Sequence, residues 1–222
     1  MSEAPLVLRV KNRVFASNSY ICRTARDGAC ILIDPGLDRE GIEEALESAG
    51  LVPRAVFCTH GHFDHLGSAE HFRRRHAIPL HLHRADARVA QSANFLLMAF
   101  KIPAHVDIPQ EYVAVDDGFT WGEGDDVVRY LHMPGHTPGS SFVLFRDHVF
   151  TGDTLYRDGV GLVKLPGEDV AQLTGSLRRV WDLLSDSVEI HPGHGGSAPF
   201  GEIKRNNAPL RRALALEEPA GP

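Results

Sequence analysis

Short apolar runs, broken by glycine, proline and polar clusters, dominate this chain. Leu6 to Val10 and Val14-Phe15 flank the polar Lys11-Asn12-Arg13 and predict a short strand pair with a turn between. Ser19 to Arg23 and Cys30 to Ile33, parted by Asp27-Gly28, predict the next two strands. Asp38 then stands before Ile42, Ala45, Leu46 and Ala49, which recur at helical spacing, and Gly50 marks the helix end. Ala55-Val56-Phe57-Cys58 reads as a strand, about Ser68 to His76 as a helix, and Pro79 to His83 as another strand. The second half repeats the plan, with strands to His132 and to Phe150. A helix follows over about Glu168 to Leu184, with Val170, Leu173, Leu177, Val180 and Leu184 on one stripe, then a strand to Ile190 and a last helix. Such alternation predicts α/β layering. Between the halves, Phe95 to Phe100 form an unbroken apolar run, expected as a core helix, a flap over a site, or a dimer contact.

The chain has 222 residues, 43% hydrophobic and 23% charged, enough for a sizeable core, and no linker divides it. One domain over 1–222 is therefore expected. A net charge of -6 gives no electrostatic case for a nucleic-acid partner. No run approaches the ~18 apolar residues of a membrane span. Met1 to Pro5 shows no basic stretch leading into an apolar one, and Cys22, Cys30 and Cys58 lack CxxC spacing. A cytoplasmic protein with buried free thiols is the expectation.

The chemistry gathers in Thr59-His60-Gly61-His62-Phe63-Asp64-His65, between a strand and a helix. His60 and His62 can face one metal, Asp64 and His65 another. Imidazole and carboxylate suit zinc, iron or manganese better than copper(I). Further candidates follow predicted strands: His136 in Pro134-Gly135-His136-Thr137-Pro138-Gly139-Ser140, Asp153 in Thr151-Gly152-Asp153-Thr154-Leu155, and His194 in His191-Pro192-Gly193-His194-Gly195. His81 and His83 mimic HxH, but no carboxylate accompanies them.

These four motifs together resemble the metallo-β-lactamase superfamily, over about Asn18 to Asn207, and THGHFDH with TGDTL resembles its glyoxalase II (hydroxyacylglutathione hydrolase) branch. The resemblance implies a four-layer αββα sandwich with metals between two similar halves. It implies two divalent ions per chain, zinc foremost, with iron or manganese as alternatives. His60, His62 and His136 would hold the first ion, Asp64, His65 and His194 the second, and Asp153 would bridge them. Asp34 would sit beneath the metal loop and hold it by hydrogen bonds. The implied activity is hydrolysis of a thioester such as a hydroxyacyl-glutathione, by a metal-bridging hydroxide that Asp64 orients. A thiolate leaving group, with a pKa of about 8.5, needs no strong general acid.

Three features depart from full-length glyoxalase II. About 28 residues follow His194, so its helical C-terminal domain is expected to be absent, as in short glyoxalase II-like proteins. Leu162 occupies the usual basic position after TGD, with Lys164 as a substitute substrate contact. Tyr156 replaces the usual Phe and matches the spacing in quorum-signal lactonases, where a Tyr meets the substrate carbonyl. A lactonase is therefore one alternative. A persulfide dioxygenase, with one iron on the equivalents of His60, His136 and Asp153, is the other. The expected partner is a small-molecule ester or thioester, and the expected state a monomer or homodimer.

Overall fold

The structure is a computed structural model that describes residues 6–162, 165 and 167–216. Its first half runs β1 (Val7–Lys11), β2 (Asn18–Arg23), β3 (Ala29–Ile33), α1 (Arg39–Ala49), β4 (Val52–Phe57), α2 (Phe63–Leu66), α3 (Ala69–His76), β5 (Leu80–His83), α4 (Ala87–Gln91), α5 (Ala93–Ala99) and β6 (Val113–Val115). Its second half runs β7 (Thr120–Trp121), β8 (Val128–His132), β9 (Ser141–Phe145), β10 (His148–Gly152), α6 (Val170–Leu183), β11 (Glu189–Pro192), β12 (Ala198–Pro199), α7 (Phe200–Asn206) and α8 (Ala208–Ala213). Each half forms a six-stranded mixed sheet, in the order β1-β2-β3-β4-β5-β6 and β12-β11-β10-β9-β8-β7. Strands β3 to β6 run parallel to one another, as do β10 and β11; the other pairs are antiparallel.

Period-two alternation builds the layers. Cys30, Leu32 and Val56 turn towards α1 and α3, where they pack with Ile42, Leu46 and Phe72. Their strand neighbours Ile31, Ile33 and Phe57 turn the other way, onto Tyr130, Val143, Phe145 and Phe150 of the opposing sheet. Phe142, Val149 and Ile190 cover the far face beneath Leu173, Leu177 and Val180 of α6. Strands buried on both faces read as continuous apolar runs, and here they give the αββα sandwich. Asp38 caps α1 by accepting from Gly41 N at 3.1 Å, and Gly50 ends it in the left-handed region at φ 63.

Two local expectations are corrected. Val14-Phe15 is not a strand; β1 pairs instead with β2 across a loop. Asn12 organises that loop, its Nδ2 donating to Ser17 O, Ser17 Oγ and Ser19 Oγ. Those bonds replace a sheet ladder and leave Phe15 to face the cleft described below. The histidine-rich loop is also shorter than expected, because Phe63 to Leu66 already form a helical turn, with His65 N and Leu66 N both donating to His62 O at 3.0 Å. All three cysteines are buried free thiols, and burial pushes Cys30 up to about 12. Among the described residues no helix is long and apolar enough to cross a membrane.

Candidate metal centre

Every chemistry-bearing loop leaves the same end of the two sheets. The Thr59–His65 segment follows β4, His136 lies between β8 and β9, Asp153 follows β10, and His194 follows β11. Asp34, just past β3, fixes the first of these. It takes a left-handed φ of 49 and donates its N–H to Phe57 O at 3.0 Å. Its Oδ1 accepts from Thr59 N at 2.7 Å, and its Oδ2 accepts from Thr59 Oγ1 at 2.7 Å and from His65 Nδ1 at 2.9 Å. The Thr59 hydroxyl has one proton and gives it to Asp34, so it can only accept from His60 Nδ1, 3.0 Å away. Both histidines therefore turn Nε2, not Nδ1, to the interior. His194 does the same, with Nδ1 donating to Ala16 O at 2.9 Å.

Two clusters result. His60 Nε2 and His136 Nε2 each lie 3.1 Å from His62 Nδ1. Beside them, the ligand atoms of Asp64, His65, Asp153 and His194 lie within 4.8 Å of one another. Asp153, in the second cluster, also reaches towards the first. Its Oδ1 is 3.3 Å from His65 Nε2, and its Oδ2 is 3.3 Å from His194 Nε2 and 3.7 Å from His136 Nε2. Asp64 Oδ2 lies 3.2 Å from His194 Nε2 and 3.5 Å from His65 Nε2.

Burial and the neighbouring imidazoles hold His60 well below its ordinary pKa and bring His62 down to about 4. In the second cluster burial opposes charge on His65 and His194, but the carboxylates outweigh it. His65 is raised well above its ordinary value, and His194 to about 10. Burial acts to raise Asp64 and Asp153 as well, yet facing His65 and His194 keeps both below the usual carboxylate range.

A divalent metal fits this set. His65 Nε2 and Asp153 Oδ1 are buried and make no hydrogen bond in the protein, an expensive condition unless a cation takes their lone pairs. Three imidazole nitrogens in one cluster, and two with two carboxylates in the other, match zinc, iron or manganese. Backbone space is cleared for it too. A Cβ at Gly193 would collide with the Asp153 carboxylate and His65, and Gly152, at φ 49, passes hard against the Thr59 hydroxyl.

The sequence profile described as Metallo-beta-lactamase superfamily matches residues 12–207. The chain belongs to that superfamily. Among its relatives, hydroxyacylglutathione hydrolase GloC of Haemophilus influenzae is 30% identical over 189 residues, covering 79% of this chain and 84% of that protein. The probable polyketide biosynthesis zinc-dependent hydrolase BaeB of Bacillus velezensis is 25% identical over 195 residues, covering 88% and 78%. The crystal structure of TTHA1623 in a di-iron-bound form superposes with a TM-score of 0.81 at 30% identity, covering 90% of this chain and 98% of that one. This superfamily member is a metal-dependent hydrolase with a dinuclear His/Asp site.

Above the centre this metallo-β-lactamase-fold protein opens a cleft of about 1000 Å³. Its floor is His62, Asp64, His136, Asp153 and His194; its walls include Phe15, Phe63, Leu96, Phe100 and Tyr156. Burial and the adjacent Asp153 carboxylate hold the Tyr156 phenol well above its usual range, so it keeps its proton. Lys164 lies outside the described residues. His81 and His83 take no part: His81 stacks on Phe57 with centroids 4.5 Å apart, and His83 on His132 at 4.0 Å.

One residue without any sequence signal matters here. Asp86 is fully buried and accepts from Gly61 N and Thr137 Oγ1, each at 2.8 Å, and from Gly139 N at 2.6 Å. It thereby ties the loop of His60 and His62 to the loop of His136. Its partners lie far off along the chain, and Arg84-Ala85-Asp86 reads as an ordinary helix start.

Proposed function

We propose that this protein hydrolyses the thioester of a small molecule with two divalent ions, zinc foremost. His60, His62 and His136 would hold one ion, Asp64, His65 and His194 the other, and Asp153 both. The observation that carries the reading is the Asp153 carboxylate on the floor of an open cleft, its Oδ1 facing His65 and its Oδ2 facing both His194 and His136. When bound, such ions supply Lewis acidity towards a carbonyl oxygen and lower the pKa of water to about 7.

The chain's own residues do the rest. The Asp64 carboxylate, held low in pKa, accepts a hydrogen bond from the attacking water and aims its oxygen at the carbonyl carbon. Tyr156 keeps its proton and donates it in a hydrogen bond to the carbonyl oxygen as negative charge builds there. The water oxygen bonds to carbon, the C–S bond breaks, sulfur leaves with the electron pair as a thiolate, and the protons of the water pass to solvent or to the departing sulfur as the product carboxylate forms. No described residue is needed as a strong acid, because a thiolate is a stable leaving group near neutral pH. The names of GloC and BaeB, both hydrolases, support the reaction class. Three buried free thiols support a reducing, cytoplasmic setting. The protonated Tyr156 in the cleft also favours a second reading, hydrolysis of a lactone.

Metal content of protein purified without added metal or chelator, followed by assays with S-lactoylglutathione and an acyl homoserine lactone, tests this. Two ions per chain and thioester turnover are expected. Turnover of the lactone alone would select the second reading. One iron per chain, with oxygen consumed on a glutathione persulfide, would overturn both.

A further inference from the structure

The cleft wall has a chemical character that the reaction itself does not require. Phe15, Phe63 and Phe100 form a continuous aromatic face, with centroids 5.4 Å apart for the first pair and 6.1 Å for the second. Phe15 also lies edge-on to His194, at 6.1 Å, so this face starts at the metal centre. Val14 and Leu96 extend it outward. Helix α5 carries the outer part. Ala93 and Leu97 anchor it in the core, Leu96 and the 50% exposed Phe100 line the cleft, and Phe95 at 64% and Met98 at 69% are exposed. The helix is braced, because Asn94 exchanges two hydrogen bonds of 2.9 Å with the backbone of Val106. The wall is thus apolar, contiguous with the reacting centre and rigidly mounted.

The charges point the same way. Among the described residues lining the cleft, Arg13 alone carries a guanidinium or ammonium group. It is already engaged: Nε and one terminal nitrogen donate to Asp38 at 2.8 and 2.9 Å, and Glu44 lies 3.7 Å away. Asp64 and Asp153 line the floor. Bound metal ions would take up the charge of those two carboxylates, so the wall sets the selection: a substrate bearing several carboxylates would find no free guanidinium or ammonium among the described wall residues, while an alkyl chain would lose water on both sides.

We infer that the acyl group of the substrate is an unbranched alkyl chain longer than a lactoyl unit, seated along Val14, Phe15, Phe63, Leu96 and Phe100. This deepens the hydrolase reading and rests on it. Hydrolysis adds water across the C–S bond, releasing a fatty acid and a free thiol, with no oxidant or further reactant.

The test uses metal-replete protein and S-acyl-N-acetylcysteamine thioesters from acetyl to octanoyl, whose thiol part is uncharged, with S-lactoylglutathione for comparison. Each added methylene is expected to raise kcat/KM about threefold, chiefly through KM, until the wall is filled. Hexanoyl should exceed acetyl by on the order of a hundredfold. In Phe100→Ser, a change at a half-exposed position, the increment per methylene should shrink. Rates independent of chain length, or S-lactoylglutathione preferred over hexanoyl, would overturn the inference and leave the hydrolase reading standing. Calorimetric binding of 2-oxoalkyl thioether analogues, which cannot be hydrolysed, repeats the test without turnover. Affinity rising about threefold per methylene, with no thioester hydrolysed, would sink the hydrolase reading and keep the alkyl seat. Flat affinity would sink the seat.

Discussion

Asp34 shows how much one side chain settles. Its carboxylate orders Thr59, and through Thr59 and directly it fixes which nitrogen of His60 and His65 carries the proton. Without that order two imidazoles could enter the centre with a proton where a lone pair is needed. In Asp34→Asn the amide nitrogen must face either the Thr59 backbone N–H or both the Thr59 hydroxyl and His65 Nδ1, so at least one of these bonds is lost. Metal affinity should fall about 10- to 100-fold, as measured by competition with a coloured chelator, while circular dichroism stays unchanged. Unaltered affinity would mean that the tautomers are set by the metal alone. The residues of the centre were legible because their chemistry is local: HxHxDH places four ligands, three imidazoles and a carboxylate, on one short stretch of chain, and glycines flank His136, Asp153 and His194. Asp86 was not legible. Its role exists only through Gly61, Thr137 and Gly139, which the fold brings to it.

Elements were readable where the cause lies within the element. The stripe from Leu173 to Val180 packs as one face of α6, and Asp38 and Gly50 bound α1 as caps should. They were unreadable where the cause is distant. Phe15 follows no strand ladder because Asn12, Ser17 and Ser19 close a loop whose Ala16 carbonyl holds His194 from the other half. Helix α5 looks like a core helix by composition, yet tertiary context buries Ala93 and Leu97, turns Leu96 and the following Phe100 to the cleft, and leaves Phe95 exposed. The two ligand-bearing loops meet at Asp86, so their joint stability should depend on it. Asp86→Ala would strand two buried N–H groups, each costing about 1–3 kcal/mol. At roughly 2–4 °C per kcal/mol for a chain of this size, Tm should drop by about 10 °C, with metal affinity falling alongside. Glu111→Ala, at an exposed position, should change Tm by no more than about 2 °C. Equal effects of the two changes would remove the linking role given to Asp86.

At the scale of the whole molecule, the centre is where two halves are joined. His60, His62, Asp64 and His65 come from the first half, and His136, Asp153 and His194 from the second. Metal bound there favours only the assembled state, so chelation should destabilise the fold. For free metal at about 1,000 times its Kd the difference is about 4 kcal/mol, or roughly 8–16 °C in Tm. The metal-free protein should then reveal the two clusters by opposite pH responses. His60 and His62 are depressed below the 6.5 of an unfolded chain, His62 to about 4. Between pH 6.5 and 4 the unfolded state binds more protons, so stability falls as pH falls, by about 3 kcal/mol for His62 alone. His194 is raised to about 10, and His65 is raised too. Their contribution is fully present below pH 6.5 and is lost as pH climbs towards 10. The metal-free protein should therefore be most stable near pH 6.5, with urea midpoints declining on both sides. Restoring metal should lift the alkaline limb most, because a divalent cation then balances Asp64 and Asp153 where the protons had done so. A flat metal-free profile across this range would mean that the imidazoles and carboxylates do not share one buried enclosure, and the dinuclear centre would lose its physical basis.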